Sequence, residues 1–337
     1  MNGKIEVENK IETRIKNNLI GCPDYLYDWY MNLKANNNTP ATCYDYINKV
    51  RQMLMSYGNH FPTIKELTQR HTIEYFDSIQ KIKDRKGNIK YSSSSYQQSV
   101  WCALFNFFDY LYKVKLIPNN YMETIKRPKN KDEERIKQER ILLTQNDFNE
   151  ILSAVDRGVG TFTAKAFQKR TKSRDKLIMC LFMTTGMRKT ALTEININDI
   201  DFENKTLQIV DKGNKYHLYY LNDNVIKFIN NWLSERESLL NGKKSAALFI
   251  SEDGNRLTGN AIAKLVKKYS NGALGYSISP HKIRAGFCSI LFDVKHDIEY
   301  VRRVVGHANV QTTQRYIVTD NKERKDASDI IGAMLNF

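Results

Sequence analysis

Residues 206–221, TLQIVDKGNKYHLYYL, decide the architecture. Two short runs of β-branched and aromatic residues, TLQIV and YHLYYL, flank the turn text KGN at 212–214, which predicts an antiparallel hairpin. Just upstream, NINDIDF (196–202) reads as a third strand. The text on either side has helical spacing instead. LTQNDFNEILSAV (143–155) opens on Thr144 with Asp147 three residues on, a helix-start pattern, and KLIMCLFMTTGMR (176–188) is an apolar helix. Between them RGVGTFTAKAFQKRTKSR (157–174) reads as a basic loop. Helical text resumes at NDNVIKFINNWLSERESLL (222–240) and dominates to the end. The expected fold class is therefore mostly α with one small antiparallel β-sheet.

Towards the N-terminus four segments carry apolar residues three to four apart: 22–36, 39–58, 62–82 and 92–114. They predict a bundle of four amphipathic helices, the second capped by Thr39 or Thr42, with their aromatic residues in its core. Residues 1–21 are polar and charged and read as a loosely ordered arm. Residues 125–140, IKRPKNKDEERIKQER, have almost nothing to bury and read as a linker whose cations are either solvated or in contact with phosphate.

A length of 337 residues favours two domains, and 41% hydrophobic content is enough to build both cores. The net charge of +15, with no long apolar segment, ranks a nucleic-acid partner above a membrane. The N-terminus lacks the apolar core of a signal peptide. Cys22, Cys43, Cys102, Cys180 and Cys288 are widely separated, without metal-ligand spacing, and read as reduced core residues of a cytosolic protein.

Five places in the second module put cationic or proton-carrying side chains at turns or helix starts: Arg188 in TTGMRK, Lys212 in DKGNK, His281 and Arg284 in SPHKIR, His307 in VGHAN, and Tyr316. Singly each has a plain structural role, such as a helix C-cap for Arg188 or a core position for Tyr316. His281 and Arg284, three apart on a helix opened by Pro280, share one face. Together the five cations form a cage for a phosphodiester, and the tyrosine supplies a nucleophile. No P-loop, carboxylate cluster or Cys/His set accompanies them, so the expected chemistry uses fixed cations and no cofactor or metal.

The order and spacing of these residues resemble the tyrosine recombinases, the family of phage and mobile-element integrases and Xer-type resolvases. TTGMRKTAL matches the text around the family's first arginine at Arg188, and DKGNK its lysine hairpin at Lys212. The H-x-x-R pair is matched by His281 and Arg284, and the G-H text with its tyrosine nine residues on by His307 and Tyr316. Where the family has an acidic residue three after the first arginine, this chain has Ala191, and Glu194 falls on a different helical face.

The resemblance implies a layout: an arm (1–21), a helical, SAM-like core-binding domain on DNA (22–124), the linker (125–140), a mixed α/β catalytic domain (141–322) and a tail (323–337) that docks on a neighbouring protomer. It implies that Tyr316 attacks the scissile phosphate to give a 3′-phosphotyrosyl link. Arg188 and Arg284 would hold the non-bridging oxygens, His281 and His307 would donate hydrogen bonds, and Lys212 would protonate the leaving 5′-oxygen. The implied partners are double-stranded DNA with inverted-repeat core sites and further copies of the chain in a tetramer on paired sites, with room for an accessory DNA-bending or directionality factor. Work on DNA in the cytoplasm, at the nucleoid, follows. Two other readings share these residues: a type IB topoisomerase, and a site-specific DNA-binding protein weakened in catalysis.

Overall fold

The computed structural model describes residues 3–83, 87, 89–129, 143–211, 215–240 and 242–306. The chain divides into two compact units, one of Ile5–Arg140 and one of Met1–Lys4 with Ile141–Phe337. The elements are mostly helical, in agreement with the class expected from the sequence.

The first unit packs α1 (Gly3–Leu19) from Ile5 onward, α2 (Asp24–Ala35), α3 (Pro40–Met55), α4 (Gln69–Ser78) and α5 (Ser94–Lys113). Hydroxyl side chains set where three of them begin: Thr39 accepts from Thr42 N, Thr68 from His71 N and Ser93 from Tyr96 N. Trp29, Phe107 and Phe108 are fully buried at the centre, with Trp29 and Phe107 edge to face at 5.1 Å. Tyr25, Trp29, Tyr30, Phe76, Phe107 and Phe108 thus supply core, as their spacing predicts, whereas Tyr27, Tyr96 and Tyr112 on the same helices are exposed.

Residues 3–19 correct the expectation of a loose arm. Val7, Ile11, Ile15 and Leu19 recur every four residues, and Ile15 and Leu19 are buried in the core of this unit. A second difference is a short antiparallel pair, β1 (Lys81–Lys83) and β2 (Ile89–Tyr91), between α4 and α5.

The second unit is built around one helix. The helix α6 (Gln145–Arg157) starts on a reciprocal cap: Thr144 Oγ1 accepts from Asp147 N while Asp147 Oδ2 accepts from Thr144 N at 2.7 Å. After a seven-residue helix, α7 (Phe162–Gln168), comes α8 (Lys172–Thr185). Every residue from Leu177 to Met183 is buried, because α8 is wrapped by α6, α10 (Asp223–Leu240), α11 (Gly259–Leu274) and α12 (Pro280–Lys295). The short helix α9 (Lys189–Glu194) follows α8 directly.

One three-stranded antiparallel sheet flanks this bundle in the order β3 (Ile200–Asp201), β4 (Thr206–Asp211), β5 (Lys215–Tyr220). Leu207 pairs with Tyr219 and Ile209 with His217, and Leu207, Ile209 and Tyr219 are buried while Leu218 and Tyr220 face out. NINDIDF gives only two strand residues. Asn196 and Asp199 cap each other's backbone there and turn the first half into a 3-10 helix. The last helix described is α13 (Ile298–Val305), held to α12 by a small cluster of Cys288, Val301 and Val305.

Candidate phosphate-binding active site

The described part of the site grows from two left-handed glycine turns. The central helix α8 ends at Gly186, φ +59°, whose N–H donates to Phe182 O at 3.1 Å. A Cβ at this position would lie 2.4 Å from the Phe287 ring, so both the backbone angle and the close approach require glycine. The chain turns there, buries Met187 and places Arg188 at the N-cap of α9. Arg188 therefore opens a helix and does not close one, correcting its C-cap reading. At the second turn α13 ends on Gly306, φ +66°.

Arg284 connects these turns. It lies one turn into α12, is 3% exposed, and donates from Nη1 to Gly186 O at 2.5 Å and from Nη2 to Val305 O at 2.6 Å. Arg188 Nη2 reaches Gly306 O at 3.4 Å. Segments far apart in sequence thus converge through guanidinium-to-carbonyl bonds, whose planar donor fork suits two acceptors at once. His217 on β5 closes the group. Its imidazole lies 3.0 Å from where a Cβ of Gly306 would stand and packs on Tyr219 at 4.3 Å.

His281 sits on the first turn of α12 and retains solvent exposure. The protein packed around its ring disfavours the charged form, and the charges of Arg284, Lys189 and Arg188 add to this, holding its pKa below the ordinary 6.5. The imidazole is therefore neutral at pH 7, with one N–H to donate. Protons bind the unfolded chain first as pH falls below about 6.5, so this residue removes stability on acidification. A histidine-resolved NMR titration of the DNA-free protein should place His281 below 6.5, and Lys189→Gln should raise it. A value at or above 6.5 would mean that the ring does not feel this cluster.

The sequence reading did not single out Lys189 or His217. The Lys189 side chain lies along the first turn of α11, its Cε 3.3 Å from a Cβ built at Gly259, and its charge reaches His281. Basic character directly after Arg188 was the available signal. His217 had none, since an alternating strand histidine looks like any other.

Ala191 is buried at 2% exposure, so no carboxylate occupies the family's usual acidic position. Glu194 lines a cleft of about 350 Å³ with Asn198, Asp199, Asp201 and Gln208 instead. Burial pushes the Cys288 thiol up to about 11, which keeps this cysteine protonated despite the charge of Arg284. Among the described residues, no three His, Cys, Asp or Glu side chains gather as a metal site, and no helix is long and apolar enough to cross a membrane. Lys212, His307, Tyr316 and the tail at 323–337 lie outside the described residues.

The sequence is 32% identical to tyrosine recombinase XerC of Caldanaerobacter subterraneus subsp. tengcongensis over 229 residues, 67% of this chain and 59% of that protein. The chain thus spans about three fifths of the length of that curated relative, and 58% of a second XerC, from Corynebacterium glutamicum. The fold matches the XerH site-specific recombinase bound to a palindromic difH substrate, at a TM-score of 0.61 and 23% identity, over 88% of this chain and 82% of that one. It also matches a lambda integrase from a tetramer bound to a Holliday junction, at a TM-score of 0.57 and 12% identity, over 88% and 76% of the two chains. The model of the phage integrase family matches residues 142–323, more than half of the sequence and the whole of the span from α6 through both glycine turns, so this chain belongs to the phage integrase family.

Proposed function

We propose that the chain is a site-specific DNA recombinase that cuts and rejoins duplex strands through a 3′-phosphotyrosyl intermediate. The observation that carries this reading is the fixing of Arg284 and Arg188 by the carbonyls around Gly186 and Gly306, beside a neutral His281. Such a cluster stabilises charge that develops on a phosphate without reorganising when the charge appears.

In the proposed reaction the Tyr316 phenol gives up its proton and its oxygen bonds to phosphorus. The bond from phosphorus to the 5′-oxygen breaks, and Lys212 protonates that oxygen as it leaves. Arg188 and Arg284 bind the non-bridging oxygens, while His281 and His307 donate hydrogen bonds to the phosphate and assist the phenolic proton. One phosphodiester is exchanged for another, so the 5′-hydroxyl of a partner strand reverses the step without ATP. The helical unit and the second unit would clamp the duplex, with 125–140 crossing between them and the tail docking on a neighbouring protomer. Inverted-repeat sites and a tetramer on paired DNA are proposed by analogy with the palindromic substrate of XerH and the lambda integrase tetramer. The expected place of work is DNA in the cytoplasm.

A duplex core site nicked next to the cleavage position loses its short 5′-hydroxyl fragment and traps the covalent complex. Proteolysis and mass spectrometry of that complex should find the nucleotide on Tyr316. Attachment to any other residue, or no adduct on a bound site, would overturn the assignment.

A further inference from the structure

The helix α7 contributes none of the residues of the arginine cluster. The sequence suggested a basic loop at 157–174, but a short helix forms within it, fixed at its base by the buried Gln168. That side chain accepts from Val159 N at 3.1 Å and donates to Val159 O at 2.6 Å and Ala164 O at 3.0 Å. Val159 in turn presses on α11 at Gly272, where a Cβ would meet its methyls at 2.6 Å. Positive φ at Gly158 and Gly160 lets the chain make this tight entry.

What this base holds out is unusual in composition. Phe162 is 89% exposed, the highest value among the exposed large hydrophobic side chains described, and Phe167 is 56% exposed. Phe162, Lys165 and Lys169 recur at three and seven residues and so share a face, while the Arg170 guanidinium lies 5.6 Å from the Phe167 ring centre. No acidic residue occurs between Asp156 and Asp175. The flanking cations are paired, Lys172 with Asp156 at 3.7 Å and Arg157 with Glu150 at 3.9 Å. Lys165, Lys169 and Arg170 are exposed and have no carboxylate partner among the described residues.

Bare phenyl rings among unneutralised cations fit a partner that offers phosphates and flat apolar faces together, which is the chemistry of nucleic acid. We propose that α7 is an accessory contact to duplex DNA, with Lys165, Lys169 and Arg170 on backbone phosphates and Phe162 in the minor groove. The inference rests on the recombinase reading for the choice of DNA over an anionic membrane. The helix α7 leads into the N-terminus of α8, whose C-terminus carries the Gly186 turn and Arg188. Fourteen residues at 1.5 Å each put roughly 20 Å of helix between them. The contact therefore falls within about six base pairs of the scissile phosphate, at 3.4 Å per pair.

The test uses the full chain and a core-site duplex. Replacing Lys165, Lys169 and Arg170 by Gln should lower the slope of log K against log salt by roughly 0.9 for each phosphate no longer neutralised, and at least two phosphates should be released in this way. Phe162→Ala should leave the slope unchanged, weaken binding about tenfold, and remove hydroxyl-radical protection within about six base pairs of the cut, as expected when a groove wedge is removed. Both variants should keep the wild-type melting temperature and should form the phosphotyrosyl adduct at saturating protein. An unchanged salt slope in the triple variant would overturn the proposal. So would wild-type binding to phosphatidylserine vesicles that the triple variant loses while its DNA binding is untouched. If the slope falls but no protein forms an adduct, the recombinase reading fails and the DNA contact stands.

Discussion

Lys212→Ala should lower strand cleavage by about 10²- to 10⁴-fold, the usual contribution of a positioned general acid, while binding of the site changes little. The reason is the leaving group. A 5′-alkoxide is a strong base and does not depart without a proton, whereas a thiolate, with a pKa of roughly 8.5, leaves unprotonated. A duplex carrying sulfur in the 5′-bridging position should therefore restore most of the lost rate to Lys212→Ala and add little to the wild type. Single-turnover cleavage on oxygen and sulfur substrates checks both halves. If sulfur rescues nothing, Lys212 acts through its charge alone and the proton comes from elsewhere.

Arg284→Ala should lose about 10²- to 10³-fold in cleavage at saturating DNA, the scale for removing one preorganised donor to a developing oxyanion. It should also destabilise the fold. Arg284 satisfies Gly186 O and Val305 O, and each buried carbonyl left without its donor costs about 1–3 kcal/mol. Denaturant unfolding reads the second loss and single-turnover kinetics the first. Arg284→Lys should not rescue either, because one ammonium cannot face two carbonyls and a phosphate in the plane of a guanidinium fork. Normal cleavage by a stably folded Arg284→Ala would remove this residue from the site.

Much of the fold was legible because its signals are local. Thr39, and Thr144 with Asp147, announce helix starts through side chains whose hydrogen bonds lie within one turn. The unbroken apolar run of α8 announces a helix buried on all sides. Misreadings came where polar text hides a sparse pattern. In α1 one apolar residue in four is diluted by Lys, Glu and Asn, and in NINDIDF the Asn196 and Asp199 side chains outcompete strand pairing. At α7 the basic text was read as a loop, because Gln168, which holds the helix, makes its bonds to backbone groups that no sequence pattern displays. The site divides in the same way. Arg188, His281 and Arg284 were visible as residue types at turns, while the carbonyls that hold the arginines were invisible, since every residue has one.

Those carbonyl anchors give the arginines a particular kind of insulation. A carboxylate anchor would cancel part of the positive charge it positions and would let go when protonated in acid. A peptide carbonyl does neither: it is a dipole with no net charge and no proton to gain across the range in which the protein is folded. The buried Ala191 is tolerable on this view, because the grip on Arg284 comes from Gly186 O and Val305 O. The corresponding weakness is that the anchors belong to the main chain. A substitution at Gly186 or Gly306 that reshapes either turn would detune the electrostatics of this arginine cluster without adding or removing a single charge.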